Sequence, residues 1–211
     1  METEYDFGNG LVAAHQHPNG GGWVADTAMV EDTAYIGPDA QVYGNARVSG
    51  IARVSGTAVV FGDARVSGTA VVFGDARVSG NAVVYDNAAV FGDALVFGDA
   101  RVYGNAWVSD YARVYGDARV SGDVVVSDYA RVYGNAAVYG DARVSGTAVV
   151  FGTAVVFGNA RVSGIARVYG NAEVSGDALV SGDARVSGNA VVSDYAEVSG
   201  KVLITHRTHL T

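Results

Sequence analysis

The sequence predicts an all-β solenoid, one chain wound into short parallel strands that stack coil upon coil. Three observations carry this. From Val24 to Leu210 an aliphatic residue returns at every sixth position, with no insertion or deletion. An alanine almost always stands two residues before it, as in Ala28-Met29-Val30, Ala46-Arg47-Val48 and Ala196-Glu197-Val198. After it come Ser, Tyr or Phe, then usually Gly, then Asp, Asn or Thr. A self-similar period of this kind marks a repeat architecture.

Each hexad supplies one element. Ala-x-Val reads as a short strand, because alternate residues point to one side and the middle one points out. The Gly-Asp or Gly-Asn that follows is turn chemistry: glycine reaches positive φ without steric cost, and Asn or Asp tolerates it better than other residues. A strand this short followed by a corner leaves no length for hairpins or crossover helices, so each coil must stack on its predecessor. Interior positions then carry little but Ala and Val, which suits a narrow prism, while arginines such as Arg47, Arg65 and Arg113 point to solvent.

The chain divides into three parts. Residues 1–22 lack the period but contain Tyr5, Phe7, Leu11 and Val12, and are expected to cap the first coil and hide its unpaired edge. Residues 23–200 form the repeats. Residues 201–211 keep the aliphatic beat, lose glycine and gain positive charge, as a polar terminal coil or the junction to a further domain would.

Composition narrows the partners. With no cysteine among 211 residues, disulfides and thiolate metal sites are excluded. A formal charge of -8 argues against nucleic acid, whose phosphates need a basic footprint. No apolar run reaches the ~18 residues that span a bilayer, so no membrane partner is expected. The start, Met1-Glu2-Thr3-Glu4, is acidic where a secretory signal is basic, which points to a cytoplasmic or virion-associated protein.

A small residue and an aliphatic one every six positions resemble the hexapeptide repeat of left-handed parallel β-helix proteins. In that family three hexads make one triangular coil. The resemblance covers Val24 to Leu210. More narrowly, Gly44-Asn45-Ala46-Arg47-Val48-Ser49 and the leader from His15 to Val24 resemble bacterial and phage hexapeptide-repeat proteins often labelled transferases. The left hand is implied by the resemblance alone, since the general rule for parallel crossovers favours a right-handed turn.

The outward residues favour the triangular coil. At a spacing of eighteen, one face carries Tyr43, Phe61, Ser79, Phe97, Tyr115, Tyr133, Phe151 and Tyr169, an aromatic column. A second face carries Ser109, Ser127, Ser145, Ser163, Ser181 and Ser199, and one corner carries Asn45, Asp63, Asn81, Asp99, Asp117 and Asn135. About ten coils, each rising ~4.8 Å, build a rod roughly 50 Å long. Every phenylalanine of the repeats follows an apolar middle residue, whereas Arg113, Arg131 and Arg167 precede Tyr115, Tyr133 and Tyr169.

Catalytic chemistry finds little footing. Hexapeptide acyltransferases, as the resemblance implies, use a histidine base and often a loop that leaves the coils. Here the four histidines, His15, His17, His206 and His209, lie towards the ends of the chain, and no loop interrupts the hexads. General acid–base work needs a group placed in a cleft, which a smooth prism lacks. Neither a metal nor another cofactor is expected. His15 and His17 read as a surface loop, and the Ser-Asp-Tyr steps at 109–111, 127–129 and 193–195 as corner variants. Gly20-Gly21-Gly22 is no phosphate loop, because it follows no strand and opens no helix. Thr57, Thr69, Thr147 and Thr153 are too scattered for an ice-binding face.

The sequence therefore predicts a non-enzymatic solenoid, a rigid spacer or display surface in a phage or bacterial surface assembly. The alternative is a hexapeptide-type acyltransferase using acetyl-CoA. The expected working surface is Tyr43, Phe61, Phe97, Tyr115, Tyr133, Phe151 and Tyr169 with Arg113, Arg131 and Arg167. Its expected partner is a second copy, side by side along the column or end to end, or a polysaccharide.

Overall fold

The computed structural model describes residues 3–205 and the backbone of residues 209 and 210. Every regular element in it is a strand, most of them two residues long, and the strands assemble into three sheets of 13, 11 and 10 strands. Consecutive hexads feed the three sheets in turn, so each strand pairs in parallel with those eighteen residues away. Arg65–Val66, for example, lies between Arg47–Val48 and Val83–Val84. Three sheets visited cyclically make a triangular coil of about ten turns. Sheet I runs through Trp23–Ala25, Gln41–Val42 and Val59–Val60 to Leu203–Ile204, sheet II starts at Met29–Val30, and sheet III at Tyr35–Ile36.

The aliphatic beat is the core. Every Ala-x-Val pair from Ala40/Val42 to Ala190/Val192 is fully buried, with Val124 in the one place of an alanine. Fully burying a valine contributes about 1.5–3 kcal/mol, and some thirty in register provide the drive that offsets chain ordering. The middle residues point outward, and the arginines Arg47, Arg53, Arg65, Arg77, Arg101, Arg113, Arg131 and Arg167 are all exposed.

Corners need glycine for two separate reasons. Gly44 has φ +70°, and a Cβ there would stand 2.9 Å from the amide nitrogen of Gly62 in the next coil. Four corners hold aspartate instead: Asp86, Asp110, Asp128 and Asp194, at φ 56–59°. Three carboxylates recover part of the strain by accepting from the next coil, Asp86 from Gly104 N–H (3.2 Å), Asp110 from Asp128 N–H (3.3 Å) and Asp128 from Gly146 N–H (2.9 Å). The Ser-Asp-Tyr steps are thus corner variants, and Tyr85-Asp86-Asn87 is a fourth of a different spelling. Side chains tie the corners together as well: Thr69 donates to Asn87, Asn87 to Asn105 (3.1 Å) and Asn105 to Asp123 (2.8 Å).

The leader covers two of the three sheet edges at its end of the rod. Strands β1 (Glu4–Asp6) and β2 (Leu11–Gln16) form an antiparallel hairpin, and β2 pairs antiparallel with β3 (Trp23–Ala25), extending sheet I. Asp6 closes the turn by accepting from Gly8 and Gly10 N–H at 2.8 and 2.9 Å. The following loop lies on the edge of sheet III: Ile36 N–H donates to the Asn19 carbonyl, Gly22 N–H to the Ile36 carbonyl, and Asn19 Nδ2 to the Ala34 carbonyl. Sheet II ends at β4 (Met29–Val30), which has no strand on its outer side among the described residues.

Candidate binding face on sheet I

The column read from the sequence is a physical stack. Phe97, Tyr115, Tyr133, Phe151 and Tyr169 follow one another at centroid separations of 4.7, 4.8, 5.1 and 4.9 Å, with planes within 10° of parallel. Tyr43 and Phe61 form a shorter stack at 5.1 Å, separated from the first by Ser79. The column also extends where the repeat pattern is silent. Phe7 of the leader lies 4.9 Å from Tyr43, and Tyr5 stacks on Trp23 at 4.4 Å. Such pairs contribute about 0.5–1.5 kcal/mol each beyond area burial. Because they stack on one another, the rings turn edges and hydroxyls to solvent and cover their own faces.

The arginines on this sheet lie in register. Arg113 pairs with Arg131 and Arg167 with Arg185, while Val149 separates Arg131 from Arg167. Sheets II and III repeat the pattern with Arg47 against Arg65, Arg101 against Arg119, and Arg143 against Arg161. Like charges directly opposite destabilise a ladder. Among the described residues the one ion pair is His15–Asp26, so no carboxylate stands within 4.0 Å of these guanidinium groups. Acids gather on the corners, where Asp63, Asp99 and Asp117 are exposed. A chain of net charge -8 thus carries cationic faces between acidic edges.

The tyrosines of the stacks respond to this setting. Burial pushes the Tyr115 hydroxyl above the usual tyrosine range, neighbouring Tyr133 adds to the shift, and Arg131 and Arg113 oppose it. Tyr43 is raised by burial against the pull of Arg77, and Tyr85 by burial together with Tyr103 and Asp86.

The prism is not smooth. At its N-terminal end a groove of about 480 Å³ is lined by His15, Met29, Glu31, Arg47 and Ser49 among others. His15 Nδ1 lies 2.8 Å from Asp26 Oδ1, which orients the ring. His17 is buried, with Nδ1 3.3 Å from the Asn19 backbone and Nε2 without a partner. His206 and the side chain of His209 lie outside the described residues. The hydroxyl of each of the four threonines stands 2.8–3.2 Å from the glycine or aspartate carbonyl seventeen residues on, so they are corner ties. None of the described residues forms a cluster of three or more His, Asp or Glu able to hold a metal.

Comparison with known proteins agrees with the fold. The YdcK beta solenoid repeat matches residues 40–56, 70–86, 94–110, 112–128, 130–146, 166–182, 178–194 and 184–200, more than half of the chain. The chain belongs to that family. Each match spans one coil of three hexads, and the overlapping matches near the C-terminal end begin at different hexads, as expected of a repeat whose faces are nearly interchangeable. Among solved structures, a Francisella novicida UDP-N-acetylglucosamine acyltransferase is similar, with a TM-score of 0.59 at 13% identity, covering 82% of this chain and 67% of that one. This likeness concerns the fold. No curated protein matches the chain.

Proposed function

We propose that the protein is a non-enzymatic rod, a spacer and display surface that docks a partner along the Phe97–Tyr169 column and its arginines. One observation carries this reading: arginines stand opposite arginines in the ladder without a carboxylate in reach. The core does not require that cost, and an anionic partner would remove it. A second copy offers such a partner, because its corners present rows of Asp and Asn. Lateral contact of an arginine face with an acidic corner also matches the exposed ring edges. A neutral polysaccharide suits the column less well, since sugars pack on ring faces and here those faces are occupied. The phage or bacterial surface setting rests on resemblance.

Replacing Tyr115, Tyr133 and Phe151 with serine tests the reading. Serine already fills the same position in the other columns, so the fold should survive with a lower melting temperature. Association measured by light scattering should be lost. Association equal to that of the parent would leave the column as a staple only.

A second reading, acyl transfer from acetyl-CoA, is favoured by the His15–Asp26 contact. A carboxylate on Nδ1 leaves Nε2 to act as a base in the groove that His15 lines with Arg47 and Ser49. Acetyl-CoA turnover that disappears in His15→Ala would establish it over the first reading.

A further inference from the structure

The aromatic columns contain two places where a single serine has a ring in the coil on either side. On sheet I these are Phe61, Ser79 and Phe97, on strands paired in register. On sheet II they are Tyr103, Ser121 and Tyr139, with Tyr103 directly opposite Ser121. The remaining repeat serines in these columns have a ring on one side at most.

At each place the flanking rings have one face stacked and one turned to the serine. Phe61 stacks on Tyr43, Phe97 on Tyr115, Tyr103 on Tyr85 and Tyr139 on Phe157, at 4.7–5.1 Å. Two coil rises separate the facing rings, roughly 10 Å, so a ring placed midway would stand ~4.8 Å from each, the spacing of the column itself. The hydroxymethyl group of serine fills only the floor of that place. It has room for one flat ring, and a puckered sugar is thicker.

Chemistry at the two places also coincides. Two residues before each serine, on the same face, stands an exposed arginine, Arg77 or Arg119, with no carboxylate within 4.0 Å among the described residues. Arg77 also lines a neighbouring groove of about 340 Å³, which runs from Phe7 past Tyr43 to Phe61 and includes neither Ser79 nor Phe97. Asp75 shares that groove, but its carboxylate accepts from the Thr57 hydroxyl. Beyond each serine the corner is acidic, with Asp99 holding Asn81 in one case and Asp123 holding Asn105 in the other. An anionic substituent on an inserted ring would therefore turn away from the corner and towards the arginine, whose planar fork matches a carboxylate.

We infer that these two gaps are ring-binding slots for small aromatic carboxylates, each ring sandwiched between Phe61 and Phe97 or between Tyr103 and Tyr139, its carboxylate received by Arg77 or Arg119. The inference deepens the reading of the rod as a binding surface, but its test does not involve the association of copies, so the two can fail separately.

The probe is 2-naphthoate, titrated calorimetrically against the full chain. Two equivalents should bind with a Kd on the order of a millimolar or tighter, as suits a ligand of its size. Ser79→Phe and Ser121→Tyr should each fill one slot and reduce the stoichiometry to one, and the double variant should bind none while melting at a higher temperature. These variants place rings where Phe61 and Tyr103 already stand in neighbouring coils, so they keep the fold. Arg77→Gln in the Ser121→Tyr background should weaken the remaining site at least tenfold, and cyclohexanecarboxylate, which has the charge without the flat ring, should not bind. The inference is overturned by no binding up to about 10 mM, by naphthoate binding unchanged in the double variant, or by equal binding of the cyclohexane acid.

Discussion

Tyr115 concentrates the balance of forces on the surface of this rod. Its ring lies between Phe97 and Tyr133, and burial raises its hydroxyl pKa despite the guanidinium groups of Arg131 and Arg113. The linkage has a definite sign. A tyrosine whose folded pKa exceeds its unfolded value of about 10 holds its proton longer in the folded state, so stability is complete below that value and falls as pH rises through the folded pKa. Tyr43 and Tyr85 act in the same direction. The rod should therefore lose stability above about pH 10, and a variant with phenylalanine at 43, 85 and 115 should lose less of it. Denaturant midpoints at pH 8 and 11 measure the difference, and parallel declines in the two proteins would contradict this account.

At the scale of the element, the leader hairpin does two jobs with one sheet. It pairs with the edge of sheet I through β2, and it continues the column outward through Phe7 and Tyr5 to Trp23. The repeat pattern made the column from Tyr43 to Tyr169 legible, because a spacing of eighteen needs only counting. It was silent on Tyr5, Phe7 and Trp23, whose places depend on an antiparallel hairpin with no counterpart in the hexads. The His15–Asp26 contact was hidden for the same reason, as its partners meet across that pairing. Arginine opposite arginine was implicit in the spacing, but whether a corner carboxylate reaches a guanidinium is decided by side-chain geometry. Replacing Tyr5 and Phe7 with alanine should uncover Trp23 while the coils persist. In a Trp107→Phe background, where Trp23 is the remaining indole, its emission should shift to the red, and an unchanged spectrum would show that the hairpin holds without its aromatic contacts.

Over the whole molecule the three sheets share one core, yet each coil touches only its neighbours, so stability is a sum of coil terms and nearest-neighbour terms. This explains why a nearly invariant hexad makes a rod: no coil depends on a distant one, and adding another repeats the same contacts. It also locates weakness. Val120 is fully buried on sheet II between Val102 and Val138. An aspartate there would place an unpaired carboxylate in a strip of alanine and valine, a defect of several kcal/mol, while leaving the coils beyond its neighbours with every contact they had. Val120→Asp should therefore divide the rod into two segments that melt separately, with hydrogen exchange fast around residues 100–140 and slow near Val60 and Val168. The parent should exchange as a protected whole apart from its ends. Uniform loss of protection along the variant would mean that the rod folds as one cooperative unit, and uniform retention would mean that the core tolerates the charge; either result would refute the nearest-neighbour account.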